Sequence, residues 1–359
     1  MFKFSSFQVL RSRFVLLLLG MTIALLLAIV VSLSVGAVAL PFTLVGQVIL
    51  SHLLPGAIAS TWIPPNWTPT EAQIVWDFRL PRVLLAAVVG AALSVSGTTL
   101  QAVVRNPLAD PFILGISYGG TVGAVLVLTL GIRPFGSLSL PIAAFIGALI
   151  AMTLVYLLAQ QKGQITPLRL ILSGVALSYT LSAVTSYLVL RASQTSAQVS
   201  PVLSWLAGSF GQARWEQVGL PAVVVLGLTV YLLFQFRRLN ILLMGDDVAA
   251  GLGLNVGWFR IQMFVVTSMM VGAVVAVSGA IGFVGLMVPH IVRIGVGSNH
   301  QRVLPLAALG GALMMVLVDL VGRVVVAPEE LPVGIVTAAF GGPFFLWLLR
   351  TSRGGVGSS

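Results

Sequence analysis

Long apolar stretches alternate with short polar interruptions from residue 14 to residue 349 of this 359-residue chain. A helix needs about 20 apolar residues to cross a bilayer, because every backbone amide inside lipid has to bond within its own helix. Breaks in the hydropathy predict ten such spans, and an even count places both termini on one side of the membrane. The predicted spans lie near residues 14–38, 82–104, 113–131, 140–159, 168–190, 217–236, 259–281, 283–297, 304–322 and 332–349.

The few charged residues set the orientation of these spans. Asp, Glu, Lys and Arg make up 8% of the chain, against about 25% in a soluble domain. With the N-terminus in the cytoplasm, most Lys and Arg residues lie at cytoplasmic span ends, as the positive-inside rule requires. The basic start of the chain precedes an apolar stretch, 14–40, that is too long for a signal-peptide core. This stretch is therefore predicted to be a retained first span.

A faint internal repeat predicts two halves of opposite orientation. Residues 89–97 resemble residues 271–279, about half the chain later. Five predicted spans separate the two copies, and an odd number makes them cross the membrane in opposite directions. This pattern is typical of inverted-topology transporters; the alternative is chance similarity between helices rich in Gly, Ala and Val. On the third span Gly115, Gly119 and Gly123 share one helix face and predict close helix packing.

The polar groups that remain constrain how a transporter of this kind could be driven. Asp319 is the acidic residue well inside a predicted span, where an ion-coupled carrier keeps its ion-binding group. Arg323 lies four residues later on the same helix face and predicts a local salt bridge instead. A phosphate-binding loop needs lysine directly after glycine, and neither Lys3 nor Lys162 meets this condition. If ATP drives this protein, another subunit has to bind it.

The composition argues against a metal centre, a redox-active thiol and a nucleic-acid site. The chain has no cysteine, and His52, His290 and His300 are far apart in sequence. The net charge of +10 comes from basic residues scattered at helix ends rather than from one patch. His52, in a predicted external loop, is the local candidate for touching a metal-bearing cargo.

The longest interior polar loop, residues 237–260, predicts a short helix at the membrane surface. Asp246 or Asp247 can cap its start, since a carboxylate accepts free amide protons. Gly251 or Gly253 can end it. A small-residue helix of this kind would suit the groove of another protein; the alternative is an ordinary amphipathic loop.

Several motifs, in order along the chain, resemble the FecCD/BtuC-like family, the permease subunits of ABC importers for iron-siderophores, haem and cobalamin. The motifs are RLPR at 79–82, NPLADP at 106–111, LGI at 114–116, GDDVAAGLG at 245–253, GFVGLMVPH at 282–290 and ELPVG at 330–334. The resemblance covers nearly the whole chain and implies a single transmembrane permease domain over residues 1–359. The implied fold is that of a type II ABC importer permease: all-α, polytopic, with ten transmembrane helices in two inverted-topology halves. A transport subunit of this kind is not an enzyme.

The resemblance also assigns roles to particular residues. It implies an ATPase-coupling helix at Gly245, Asp246, Asp247, Ala249, Ala250, Leu252 and Gly253. It implies binding-protein docking at Arg79, Arg82 and Arg323, which could alternatively anchor helix ends at lipid headgroups. It implies a cytoplasmic gate at Asn106, Leu108 and Thr166, although Asn106 could equally be a turn residue before Pro107. On the fifth span Ser178, Ser182 and Thr185 would line the substrate path or, alternatively, hydrogen-bond between helices.

The implied assembly contains a second copy of the chain, two ATP-binding-cassette ATPase subunits, an extracytoplasmic substrate-binding protein and membrane lipid, but no nucleic acid. No cofactor is expected on this chain, because ATP and Mg²⁺ would be bound by the ATPase. The expected location is the bacterial or archaeal cytoplasmic (inner) membrane, multi-pass, with both termini cytoplasmic. Iron-siderophore or haem is the expected cargo and cobalamin the alternative. The rival from another class is an ion-coupled secondary transporter that works without an ATPase.

Overall fold

The computed structural model describes residues 3–36, 38–54, 66–161, 164–194, 203 and 205–352. These residues are mostly helical, and the strands that the structure describes are one short antiparallel pair, β1 (Gln160–Gln161) and β2 (Gln164–Ile165). In chain order the α-helices are α1 (Lys3–Ser34), α2 (Phe42–Leu53), α3 (Pro69–Gln73), α4 (Leu80–Val104), α5 (Ile116–Leu130), α6 (Ser139–Ala159), α7 (Pro167–Gln194), α8 (Trp215–Phe234), α9 (Phe236–Leu242), α10 (Asp246–Gly251), α11 (Val256–Ser278), α12 (Val284–Val296), α13 (His300–Val324) and α14 (Val333–Ser352).

Each of the ten predicted spans coincides with one of these helices, so the all-α polytopic fold is confirmed. Among the described residues, seven helical segments are long and apolar enough to cross a membrane. These are Ser12–Ser34, Pro69–Val104, Ser139–Ala159, Leu168–Arg191, Trp215–Phe234, Val256–Ser278 and His300–Val324. The other three predicted spans coincide with the shorter apolar helices Ile116–Leu130, Val284–Val296 and Val333–Leu348.

The structure departs from the predicted boundaries between the first two spans. The apolar helix α2 was not predicted, because its 12 residues are too few to cross a bilayer. The second span was predicted to begin at residue 82, but its helix begins at Pro69. There the Thr68 hydroxyl accepts from the Glu71 amide while the Glu71 carboxylate accepts from the Thr68 amide, a capping box. A π-helical turn, Ile74–Arg79, joins α3 to α4.

Helix α4 lies at the centre of the bundle and is buried along most of its length. It crosses α13 where Gly90 faces Gly311, and α12 where Gly97 faces Gly285. A methyl group built on Gly90 would lie 2.0 Å from the carbonyl oxygen of Gly311. The two backbones are therefore in direct contact, which only residues without a side chain permit.

The glycine face of α5 packs in the same way, as predicted. A methyl group on Gly119 would lie 2.3 Å from the Gly147 carbonyl oxygen of α6, and one on Gly123 would lie 2.1 Å from that of Ala143. Gly115 precedes the helix with a left-handed φ of 78°, a conformation that glycine adopts without strain. Close packing of α5 on α6 thus accounts for two of the three glycines, and backbone conformation accounts for the third.

The opposite orientation of the two halves is visible at one end of α4. Arg105 follows the last residue of α4, and Arg260 lies near the start of α11. Both side chains contact Asp246, the first residue of α10. Helix α11 therefore begins where α4 ends, and the two helices run in opposite directions. Below, this end of the bundle is called the α10 end, and the end at which α4 begins is called the Arg82 end.

Candidate functional site

A network of four charged side chains lies at the Arg82 end. The side chain of Asp319 is 1% exposed, and its Oδ1 accepts a hydrogen bond from Arg82 Nε at 2.9 Å. Its Oδ2 lies 3.1 Å from Arg323 Nε. The predicted Asp319–Arg323 salt bridge is thus confirmed, but the stronger partner, Arg82, comes from a helix 237 residues away in sequence. Arg82 also donates through NH1 to Glu330, at 2.8 Å. Neither long-range pair could be predicted from the sequence.

Arg79 and Arg323 are buried beneath the end of α1. Arg79 NH1 donates to the carbonyl oxygens of Leu33 and Ser34, at 2.6 and 3.1 Å. Arg323 donates to the carbonyl oxygens of Ser32 and Val35, at 3.1 and 3.2 Å. The last carbonyls of a helix have no partner within it, so these guanidinium groups satisfy the end of α1.

Of the three arginines predicted to dock a binding protein, Arg82 has the most accessible contact. Its NH1 group reaches Glu330, whose side chain is 46% exposed, whereas the groups of Arg79 and Arg323 are occupied inside the chain. The docking role of all three stays a prediction. The structure adds that Arg79 and Arg323 hold helices together whether or not a partner binds.

His52 contacts Trp76, which in turn contacts Trp215. The imidazole of His52 stacks on Trp76, with ring centroids 4.3 Å apart, and its Nδ1 lies 2.9 Å from the Val48 carbonyl oxygen. Trp215 Nε1 donates to the Trp76 carbonyl oxygen at 2.9 Å. Amphipathic rings are typical of membrane–water interfaces, so these contacts fit an aromatic belt, and contact of His52 with cargo stays a prediction.

At the α10 end, the predicted short helix exists but begins differently. Its N-cap is Gly245, with a φ of 109° and no side-chain cap, so the prediction that Asp246 or Asp247 caps the helix is wrong. Both carboxylates instead lie in the first turn, where the positive end of the helix dipole stabilises their negative charge. The end is as predicted: the last helical residue is Gly251, and Gly253 follows with a φ of 84°.

The residues of the predicted coupling segment divide into two faces. Ala249 is fully buried against the chain itself. Val248 on α10 and the flanking residues Met244 and Leu252 are 45%, 64% and 61% exposed. Asp247, Ala250 and Gly253 are exposed as well. Exposed apolar side chains clustered on a polar loop are typical of a surface that a partner covers.

Asp246 is held by two arginines. Arg260 forms a two-pronged pair with it, NH1 to Oδ2 at 2.9 Å and NH2 to Oδ1 at 3.0 Å. Arg105 NH2 lies 3.2 Å from Oδ1. The guanidinium of Arg260 is nearly buried and also donates through Nε to the carbonyl oxygen of Val103, at 3.3 Å. We call Asp246, Arg105 and Arg260 the α10 clamp. The sequence indicated a role for the aspartate but for neither arginine.

The predicted gate residues lie in turns at the α10 end. Asn106 Oδ1 accepts from the Leu108 amide at 2.8 Å, so Asn106 has the turn role that was its alternative. Thr166 is exposed, immediately before α7. Asp110, in the same loop as Asn106, was quoted in a motif without a role. It is buried and accepts from the Phe112 amide at 2.8 Å, and burial raises its pKa to about 6. The gating role stays a prediction.

The hydroxyl stripe of α7 faces the chain's own helices. Ser178 and Thr185 are buried, and Ser182 is half-buried. Ser178 Oγ donates to the Gly174 carbonyl oxygen at 2.8 Å, and Thr185 Oγ1 donates to that of Leu181 at 3.0 Å. These two bonds lie within α7, so they decide neither for a path lining nor for hydrogen bonding between helices, and the pathway role stays a prediction. The open face of α7 carries Tyr179 and Tyr187 instead.

Comparison with known proteins gives a consistent result across the chain. The model of the FecCD transport family matches residues 24–351. The hemin transport system permease protein HmuU of Yersinia pestis is 41% identical over 294 residues, covering 80% of this chain and 87% of that protein. The cobalamin import system permease protein BtuC of Halobacterium salinarum is 45% identical over 291 residues, covering 79% and 75%.

A solved structure agrees with the sequence relatives. An inward-facing conformation of a metal-chelate type ABC transporter superposes with a TM-score of 0.78 and 33% sequence identity, covering 93% of this chain and 98% of that chain. The multi-pass helical fold, the motifs and these matches have one explanation. The chain belongs to the FecCD transport family, whose members are permease subunits of ABC importers.

Proposed function

We propose that two copies of this chain form the membrane pore of an importer that carries a bulky metal chelate. Two ATPase subunits would bind ATP and Mg²⁺ at the α10 end, and a soluble binding protein would deliver cargo at the Arg82 end. The α10 end would then be cytoplasmic and the membrane the cytoplasmic (inner) membrane, with both termini inside. Iron-siderophore or haem is the first cargo class and cobalamin the second; relatives named for hemin and for cobalamin both match, at 41% and 45% identity.

The observation that carries this proposal is the exposed apolar surface at α10. Val248 on α10 and the flanking residues Met244 and Leu252 are 45%, 64% and 61% exposed, in a segment that lies outside the predicted spans. The opposite side is fixed to the bundle through buried Ala249 and the α10 clamp. A rigidly mounted helix with an uncovered apolar face fits a groove on another protein, the helix-in-groove mode of recognition.

The structure removes the main support for an ion-coupled carrier. Such a carrier needs an ionisable group that can gain and lose an ion in the membrane. Asp319 is the acidic candidate within the predicted spans, and it is engaged by Arg82 and Arg323 with 1% of its side chain exposed. Because both carboxylate oxygens are engaged by guanidinium groups, Asp319 serves as a structural counter-charge.

The exposed faces of α7 and α14 support pairing with a second copy. Tyr179 and Tyr187 on α7 and Phe340 on α14 are large side chains left uncovered by the rest of the described chain. Tyrosine is amphipathic: its ring packs against a neighbour while its hydroxyl can face water. A surface of this kind is suited to contact a second copy of the chain and, beside that contact, to line a water-filled path.

Transport in proteoliposomes tests the proposed function directly. The chain alone is expected to accumulate no ferric siderophore, haemin or cobalamin under a proton or sodium gradient, since Asp319 is already engaged by Arg82 and Arg323. The complex with its ATPase subunits and binding protein is expected to accumulate one of these probes when ATP is present, measured with radiolabelled cargo. The same complex without ATP is the control. Gradient-driven uptake by the chain alone would overturn the proposal.

Docking of the binding protein at the Arg82 end can be tested by removing the Glu330 carboxylate, which already binds Arg82. Glu330→Gln frees the NH1 group, so affinity for the binding protein is expected to rise about threefold if a partner carboxylate binds there. Glu329→Gln is the matched control, because it removes one exposed negative charge from the neighbouring position. Titration of the binding protein onto the complex measures both. Equal gains from the two variants, or weaker binding by Glu330→Gln, would contradict docking on Arg82.

A further inference from the structure

The α10 clamp joins three elements that are distant in sequence. Asp246 begins α10, Arg105 follows the end of α4, and Arg260 lies near the start of α11. The three N–O distances within the clamp run from 2.9 to 3.2 Å. Two parallel N–H···O bonds from one guanidinium fix a carboxylate in orientation as well as in position. The first turn of α10 therefore has a defined attachment to two core helices.

The backbone at this point is shaped to make the attachment. Gly245 adopts a φ of 109°, and a methyl group built there would lie 3.5 Å from NH1 of Arg105. Arg105 itself has a left-handed φ of 52°, which is rare for a residue with a side chain. This conformation ends α4 while its side chain reaches Asp246. Arg260 bonds the Val103 carbonyl oxygen as well, so it ties α11 to the last turn of α4.

Asp246 and Asp247 are adjacent but differ in what they contact. Both oxygens of Asp246 are engaged by arginines of this chain. Asp247 is exposed and forms no ion pair with any residue that the structure describes. A carboxylate already used in a bidentate pair is poorly available to a second protein, whereas a free one is available. The two residues therefore have separate tasks.

We propose that Asp246 is a positioning residue that transmits movement of α10 to α4 and α11, and that Asp247 is the one that meets the ATPase. The proposal rests on the proposed function, since it concerns how an ATPase moves this helix. Helix α4 has 25 residues, about 37 Å at 1.5 Å per residue. It ends at the clamp and begins beside Arg82, so an attachment at its end is placed to act on the whole span.

The first experiment compares variants of the two aspartates in the full complex. Asp246→Asn is expected to keep assembly with the ATPase and its ATP hydrolysis, while cargo carried per ATP hydrolysed falls about tenfold. Asp247→Asn is the matched control: it is expected to weaken ATPase affinity in a pull-down while leaving cargo per ATP near the wild-type value. Asp246→Asn with unchanged cargo per ATP, or with lost assembly in a folded protein, would overturn the assignment.

Arg105→Gln keeps the test informative if Asp246→Asn does not fold. The Arg105 side chain is about one-third exposed, and its loss leaves the Arg260–Asp246 pair in place. This variant is expected to lower cargo per ATP by a smaller factor than Asp246→Asn. An unchanged ratio in folded Arg105→Gln complex would show that the contact carries no coupling.

A second measurement does not depend on transport. The chain has no cysteine, so Val248→Cys together with Trp258→Cys gives two unique sites for spin labels, one on α10 and one on α11. Their distance distribution is expected to be narrow in the native background and broad with Asp246→Asn. A distribution equally narrow in both would overturn the clamp. The two proposals can fail separately. If the native complex shows no ATP-driven uptake but Asp246→Asn still broadens the distance distribution, the proposed function is wrong while the attachment of α10 through the clamp is supported.

Discussion

Replacing Gly90 with valine should leave the chain unable to reach its folded state. The first carbon of any side chain at this position would lie 2.0 Å from the Gly311 carbonyl oxygen and 2.7 Å from Cγ of Met315. Overpacking against movable side chains costs about 1–3 kcal/mol. Here the obstacle is backbone, so α4 and α13 would have to separate along their crossing. Monodisperse protein after size-exclusion chromatography in detergent, together with its melting temperature, measures the loss.

Gly227→Ala on α8 is the matched control for that change. Gly227 is also a helical glycine, but a methyl group built there meets no atom within 4 Å. Alanine is a better helix former than glycine by about 1 kcal/mol, so this variant is expected to be neutral or slightly more stable. Gly90→Ala should fall between the two, since it adds one carbon to the crossing. A Gly90→Val protein that folds and melts like wild type would show that α4 and α13 do not meet as described.

Replacing Asp319 with asparagine is expected to destabilise the protein almost as severely. Asparagine keeps the shape but removes the negative charge that Arg82 and Arg323 share in a buried site. Removing one partner of a buried ion pair costs about 3–5 kcal/mol, because the remaining charge is left without compensation. The melting temperature in detergent should fall by many degrees. Since Arg323 also binds the end of α1, proteolysis is expected to begin near that helix.

Glu330→Gln is the control for Asp319→Asn, because it removes the same negative charge from an exposed position instead of a buried one. Glu330 binds the same guanidinium as Asp319, through Arg82 NH1, but its side chain is 46% exposed rather than 1%. Exposed ion pairs contribute about 0–1 kcal/mol, so Glu330→Gln should lower the melting temperature only slightly. Similar losses from both variants would mean that the two carboxylates contribute equally, which their burial does not allow.

Some predictions about the site residues were confirmed and others were wrong. The difference is whether a residue's partners lie within one helical turn or on another helix. The end of the short helix at Gly251 and Gly253 could be predicted, because helix termination depends on residues within one turn. Its start could not: Asp246 was expected to accept amide protons, but it binds Arg105 and Arg260 from other helices. The Asp319–Arg323 pair was predicted because its members are one turn apart, whereas Arg82 is far away in sequence.

The faces of helices were harder to predict than their positions. Ser178, Ser182 and Thr185 share a face at helical spacing, as expected, but nothing local says whether that face meets a path or another helix. In the structure it packs inside the chain, and Tyr179 occupies the open side. Every face of a membrane helix is apolar enough to be buried or to meet lipid, so the amphipathic pattern that orients helices in soluble proteins is weak here.

The sequence by itself determined that this protein is a bundle of membrane helices, where each span lies and which family it resembles. These properties follow from hydropathy and motifs, which are local, because a helix in lipid satisfies its own backbone bonds. Only the tertiary structure decided which charges meet: Asp319 with Arg82, and Asp246 with Arg105 and Arg260. Those pairs depend on how helices cross, and the crossings are set by glycine contacts such as Gly90 with Gly311.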